Sequence, residues 1–213
     1  VQIVERNRFN PNLTQSWFGS VMELINNITM LAIILTGSAL IREREHGTLE
    51  HLLVMPVTAF EIMVSKIWSM GLVVLLASGM SLTFVIQGLL KVPVEGSVLL
   101  FLAGTALHLF AVTSMGIFLA TIAQNMPQLG MLLILVLMPM QMLSGGMTPR
   151  ESMPEIVRTV MMIAPTTHFV EFSQAILYRG AGMEVVWRPF LWIAGIGMTL
   201  FLITLARFRK TVT

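Results

Sequence analysis

Residues 67–90 run without one charged side chain, and this stretch limits the chain's fold more than any other feature. A helix of that length covers the roughly 30 Å of a bilayer's hydrocarbon core. A lone strand would leave its backbone groups unpaired in lipid, so a spanning segment has to be helical. Four further apolar runs are long enough to span, at about residues 18–41, 98–123, 129–147 and 189–206, the first of them carrying Glu23. Composition agrees: 55% of the 213 residues are hydrophobic and only 11% are charged, against roughly 25% charged in a soluble domain. The expectation is an all-α, polytopic transmembrane helix bundle with about five spanning helices.

The same numbers exclude several function classes. A net charge of +2 and the absence of a dense Lys/Arg stripe give nucleic acid no footing. Without cysteine there are no disulfide scaffolds, thiolate metal sites or cysteine nucleophiles. No His-Glu-x-x-His or Gly-x-Ser-x-Gly anchors a hydrolase. His46, His51, His108 and His168 are scattered and form no ligand set, and the 18 Met residues fit irregular packing better than metal handling. No cofactor is expected on the chain. It starts Val-Gln-Ile-Val-Glu with no secretory leader pattern, and residues 1–16 read as the end of a missing extracytoplasmic region.

Residues 148–186 differ from the spans. Pro149, Pro154 and Pro165 punctuate them, and two short amphipathic helices are expected, forming an interfacial or re-entrant hairpin. The first covers about residues 154–164 with Ser152 or Met153 near its cap, and Ile156, Val157, Val160, Met161 and Ala164 along one stripe. Thr166 or Thr167 would cap the second, which ends near Tyr178.

Residues 42–66 are the most informative segment. Gly47 interrupts the preceding helix, and Thr48 can cap a new one. Leu49, Leu52 and Leu53 share its face, and Pro56 ends it, so residues 48–56 form a short amphipathic helix lying across the membrane surface. Glu43, Glu45, Glu50 and His51 rim that helix. Thr58 and Glu61 then have capping-box spacing for the next crossing.

Glu43-Arg44-Glu45-His46-Gly47-Thr48-Leu49-Glu50, with Leu52 and Pro56, resembles the Glu-Arg-Glu-x-Gly-Thr-x-Glu-x-Leu-x-x-x-Pro signature of ABC-2-type permeases. Phe9-Asn10-Pro11, the Leu143 to Pro149 stretch, Met153-Pro154-Glu155 and Ala164-Pro165-Thr166-Thr167-His168-Phe169 resemble later family segments in order, with Ala164 departing from the usual Asn. The resemblance implies a cell-membrane exporter subunit in which residues 48–56 are the coupling helix that docks on a partner ATPase. It also implies ATP and Mg on that partner, a second permease subunit, and a further N-terminal helix beyond this chain. Leu143-Ser144-Gly145-Gly146 is not an ATPase signature, because no P-loop accompanies it.

Five crossings place the termini on opposite sides. The raw Lys/Arg tally favours neither orientation, but Arg207, Arg209 and Lys210 lean the C-terminus and the 42–66 loop toward the cytoplasm. Glu23, Asn26, Asn27, His108 and Gln141 are candidates for a substrate path, since polar groups at membrane depth are costly. For His108 the other reading is a neutral ring hydrogen-bonded to a neighbouring helix, and for Glu23 a place at the outer interface. Pro139 suggests a kink in the fourth span. Two rival functions stand beside export: an ion-gradient-driven transporter or channel, and a membrane anchor. The first would need intramembrane carboxylates, which the second to fourth spans lack.

Overall fold

The structure, a computed structural model, describes residues 15–47, 57–148 and 150–212. Among these there is no strand, and the chain forms a bundle of α1 (Gln15–Glu45), α2 (Ala59–Met80), α3 (Val98–Ile122), α4 (Met126–Leu143), α5 (Glu155–Met161), α6 (Pro165–Arg179) and α7 (Met183–Val212). Helices α1, α2, α3, α4 and α7 are each long and apolar enough to cross a bilayer. Residues 1–14, including the expected extracytoplasmic remnant, lie outside the described residues.

Helix α3 is central and packs against α1, α2, α4, α6 and α7. Its sequence is apolar on every side, which suits a helix with neighbours along much of its surface and lipid against Leu99, Ala103 and Ala106. Lipid tails are as apolar as leucine, so close backbone approach does much of the work of association. At Gly116 an added Cβ would lie 2.8 Å from the carbonyl oxygen of Ile33, where α1 crosses α3. At Gly104 it would lie 2.5 Å from Phe172 and 2.8 Å from Phe190. These rings join Phe101 and Phe169 in an aromatic cluster between α3, α6 and α7. Three hydroxyls inside the bundle are satisfied locally: Thr36, Thr105 and Thr113 donate to carbonyls four residues back. Thr204 of α7 reaches across to the carbonyl of Ser114, 3.2 Å away.

Helix ends depart from the expected boundaries for identifiable reasons. Helix α2 begins two turns before residue 67, because Glu61 and Lys66 are both satisfied there. Thr58 and Glu61 close a capping box, with Thr58 N donating to Glu61 Oε2 at 2.7 Å. Helix α4 starts at Met126 rather than 129, since the Asn125 side chain caps it and Pro127 sits in its first turn. Helix α7 starts at Met183 and runs through Pro189 at the cost of one backbone hydrogen bond. Helix α2 continues as a π-helix over Ser81–Leu89, which no residue pattern announced.

Between α4 and α7 the two short helices are present, with corrected caps. Pro154 itself occupies the N-cap of α5, and Ala164 that of α6. Neither Thr166 nor Thr167 caps α6; Pro165 fills its first turn, and Thr167 Oγ1 donates back to the Met161 carbonyl at 2.7 Å. Of the anticipated α5 stripe only Met161 is buried, while Ile156 and Val160 are exposed. Helix α6, by contrast, inserts Phe169, Phe172 and Ile176 into the bundle core. Its Tyr178 hydroxyl donates to the carbonyl of Phe18 at 3.1 Å, and burial pushes that phenol's pKa up.

Gly116→Leu is expected to wedge α1 from α3 and to destabilise the fold by about 1–3 kcal/mol. Gly130→Leu, where an added Cβ meets nothing within 4 Å, leaves stability unchanged. Thermal unfolding of the full-length protein in detergent distinguishes the two.

Candidate coupling region and substrate path

Of the expected coupling residues, Glu43, Glu45 and Gly47 are described, and they lie at the end of the bundle where α1 ends, α2 begins and α3 turns into α4. Helix α1 extends through Glu45 because its last turn finds partners outside itself. Glu43 pairs with Lys66 of α2. Arg44 Nη1 donates to the Ala123 carbonyl at 2.8 Å, and Glu45 Oε1 accepts from the Met126 backbone N–H at 3.0 Å. The ring of His46 bonds the Arg42 carbonyl, 2.7 Å away. Gly47 then leaves the helix at φ +69°, a conformation that disfavours any side chain. Thr48, Leu49, Glu50, Leu52, Leu53 and Pro56, and with them the anticipated helix over residues 48–56, lie outside the described residues. From α7, Arg207 Nε donates to Thr121 Oγ1 at 3.0 Å and its guanidinium stands 5.9 Å over the Phe118 ring.

Lys66 is almost wholly buried, and a buried ammonium demands a partner, which Glu43 supplies. Sequence reasoning named Glu43 and Glu45 but missed Lys66 and the start of α4 as their partners, and missed the hold of Arg44 on the end of α3. The available signal was Lys66 itself: a lone cation at the edge of an apolar run, across one loop from a cluster of carboxylates.

At the other end, α1 and α2 enclose a groove of about 420 Å³. Glu23, Asn27, Ser20, Ser78 and Ser81 supply its polar lining, and Leu24, Ile28, Leu31, Val74, Val85 and Ile86 much of its apolar wall. Asn27 Nδ2 donates to Glu23 Oε1 at 3.1 Å, so the two share one helix face one turn apart. The π segment widens α2 where Ser81, Val85 and Ile86 reach the groove. The other candidates for a path are not brought there. Asn26 is half-buried off the groove, and Gln141 is half-buried on α4. His108 is enclosed between helices: its Nε2 shares a 2.9 Å hydrogen bond with Thr29 of α1, and its ring stacks on Phe169 at 3.9 Å. Its Nδ1 has no hydrogen-bond partner. No group of His, Asp and Glu among the described residues is placed to hold a metal ion.

The family described as ABC-2 type transporter matches residues 4–178. The chain belongs to that family. It is 66% identical over 212 residues to the inner membrane transport permease YhhJ of Escherichia coli strain K12, covering 100% of this chain and 57% of that protein. It is 30% identical over 212 residues to YbhR of the same strain, a probable multidrug ABC transporter permease, covering 99% of this chain and 57% of the relative. YbhS, another probable multidrug ABC transporter permease, is 28% identical over 184 residues, 84% of this chain and 48% of its own length. The chain thus spans about half the length of the curated relatives it matches. This is a multi-pass membrane protein of the transporter family, and the end of α1 at Glu45 and the Glu23–Asn27 groove sit at opposite ends of the bundle.

Removing one partner of the enclosed hydrogen bond leaves the other stranded. Thr29→Val is expected to cost about 1–3 kcal/mol, and adding His108→Phe, which keeps the ring stack, recovers most of it. A double-mutant cycle on thermal stability measures the coupling.

Proposed function

We propose that the chain is the membrane-spanning portion of a permease subunit of an ATP-driven ABC-2-type exporter. Membership in the ABC-2 type transporter family carries this reading, and the segment that leaves α1 at Gly47 and returns at Val57 supports it. In this reading residues 48–56 dock on a separate ATPase, which binds ATP and Mg and performs the hydrolysis. A second permease subunit completes the path. Helices α2 and α4, the least buried spans, keep broad apolar sides for lipid or for that second copy.

The protein would reside in the inner membrane, as the relative YhhJ is named. Arg42, Arg44 and Lys66 share one end of the bundle with Arg207 and Arg209, which favours a cytoplasmic placement of the coupling end and the C-terminus. The opposite end then opens the groove toward the outer half of the bilayer. Its mixed lining suits an amphiphilic cargo, one part held by apolar walls and another by the Glu23–Asn27 pair.

Two substitutions test the proposal in the full-length permease purified with its ATPase. Glu50→Arg or Leu52→Trp is expected to weaken ATPase capture by about tenfold or more, as loss of a central interface contact does, while the permease stays monodisperse. Unchanged capture and unchanged ATPase stimulation in both variants would overturn the coupling role. Leu31→Trp, which narrows the groove, is expected to lower cargo-stimulated ATP hydrolysis and leave basal hydrolysis intact.

A further inference from the structure

Arg42, Glu43, Arg44 and Glu45 are successive helical residues, so their side chains leave α1 about 100° apart. Three of them reach three different elements: Glu43 goes to α2, Arg44 to the end of α3, and Glu45 to the start of α4. Two of these contacts match charge to helix polarity. Arg44 lies on a carbonyl just past the C-terminus of α3, where the helix dipole is negative. Glu45 takes an N–H of the first residue of α4, where the dipole is positive. The α3–α4 turn is therefore gripped on both sides by adjacent residues of α1. Within the turn, Gln128 Oε1 accepts from Gln124 N at 2.7 Å and Asn125 Oδ1 from Gln128 N at 2.9 Å, so it is a stiff unit to grip.

From this we propose that Glu43, Arg44 and Glu45 act as an internal latch rather than as a docking rim for the ATPase. The Glu43–Lys66 pair ties the entrance of the 48–56 segment to its exit, so a push on that segment moves α1 and α2 together. The Arg44 and Glu45 contacts carry the α3–α4 turn, and hence α4, along with them. The three side chains are positioning residues that turn a local displacement into a concerted tilt of four spans. Arg207 on Thr121, two residues before the Ala123 contact, extends the same unit to α7. This rests on the exporter reading for what delivers the push, but the latch is a property of the permease alone.

The test uses the full-length permease with its ATPase in proteoliposomes, with variants Glu43→Lys, Lys66→Glu, the double exchange, and Glu45→Ala. Each single variant is expected to keep ATPase capture within about twofold and basal hydrolysis intact, while cargo moved per ATP falls by about tenfold, the size of an ordinary coupling energy. The double exchange restores the pair with reversed polarity and is expected to recover transport. Amide hydrogen exchange at residues 122–128 in Glu45→Ala, which removes the acceptor for the Met126 N–H, is expected to rise when measured without the ATPase. Loss of ATPase capture in the single variants without rescue by the exchange would overturn the latch in favour of direct docking. Unaltered amide exchange would overturn it regardless of what the partner does, and a wild type that captures no ATPase would instead count against the exporter reading.

Discussion

A buried helix in a bilayer has no water to satisfy its polar groups, and α3 meets that condition from every side. Its peptide groups close on themselves, its threonines bond back to its own carbonyls, and its one histidine is held between a threonine and a phenylalanine ring. The other spans are arranged around it at distances that its glycines permit. Where α1 crosses at Gly116 the backbones nearly touch, and where Phe172 and Phe190 fold over Gly104 the aromatic cluster locks α6 and α7 to the same helix. Lipid offers no hydrophobic advantage to association inside the membrane, so this fit is what holds the bundle as one body.

The helix ends obey the same condition under different circumstances. Four N–H groups are left over at each helix N-terminus and four C=O groups at each C-terminus, and the boundary with water is where charged side chains can reach them. Where α1 ends, the Arg44 and Glu45 side chains serve termini that belong to other helices. At the opposite end Asn27 and Glu23 bond to each other across one turn, leaving a polar lip on an otherwise apolar groove. The two ends therefore differ in kind: one is tied tightly by charge, the other open and amphiphilic. An exporter moved from one end and loaded or emptied at the other would have this asymmetry.

Much of the fold was legible because bilayer thickness is a hard ruler. Uncharged runs long enough to span can hardly do anything else, and the Thr58–Glu61 spacing marked the start of α2. Boundaries failed where charges were read as water-facing. Lys66 and Glu43 are compatible with the helix because they neutralise each other across the loop, and Pro189 because α7 tolerates one missing bond. Thr166 and Thr167 were reasonable caps by residue type, yet proline already solved that terminus. The π segment has no side-chain requirement, so no pattern could have revealed it.

The residues alone determined that the chain spans the membrane about five times as helices, and that the Glu43 to Pro56 motif marks its kinship. These follow from length, hydropathy and local spacing, which a one-dimensional reading can measure. Tertiary structure decided the partners. It paired Glu43 with Lys66 and Glu45 with the start of α4, enclosed His108, separated Asn26 and Gln141 from the groove, and put Ser78 and Ser81 opposite Glu23. The physical reason is that a side chain's role is set by what lies within about 3 Å of it, and residues as distant in sequence as Arg44 and Ala123 become neighbours only when helices pack.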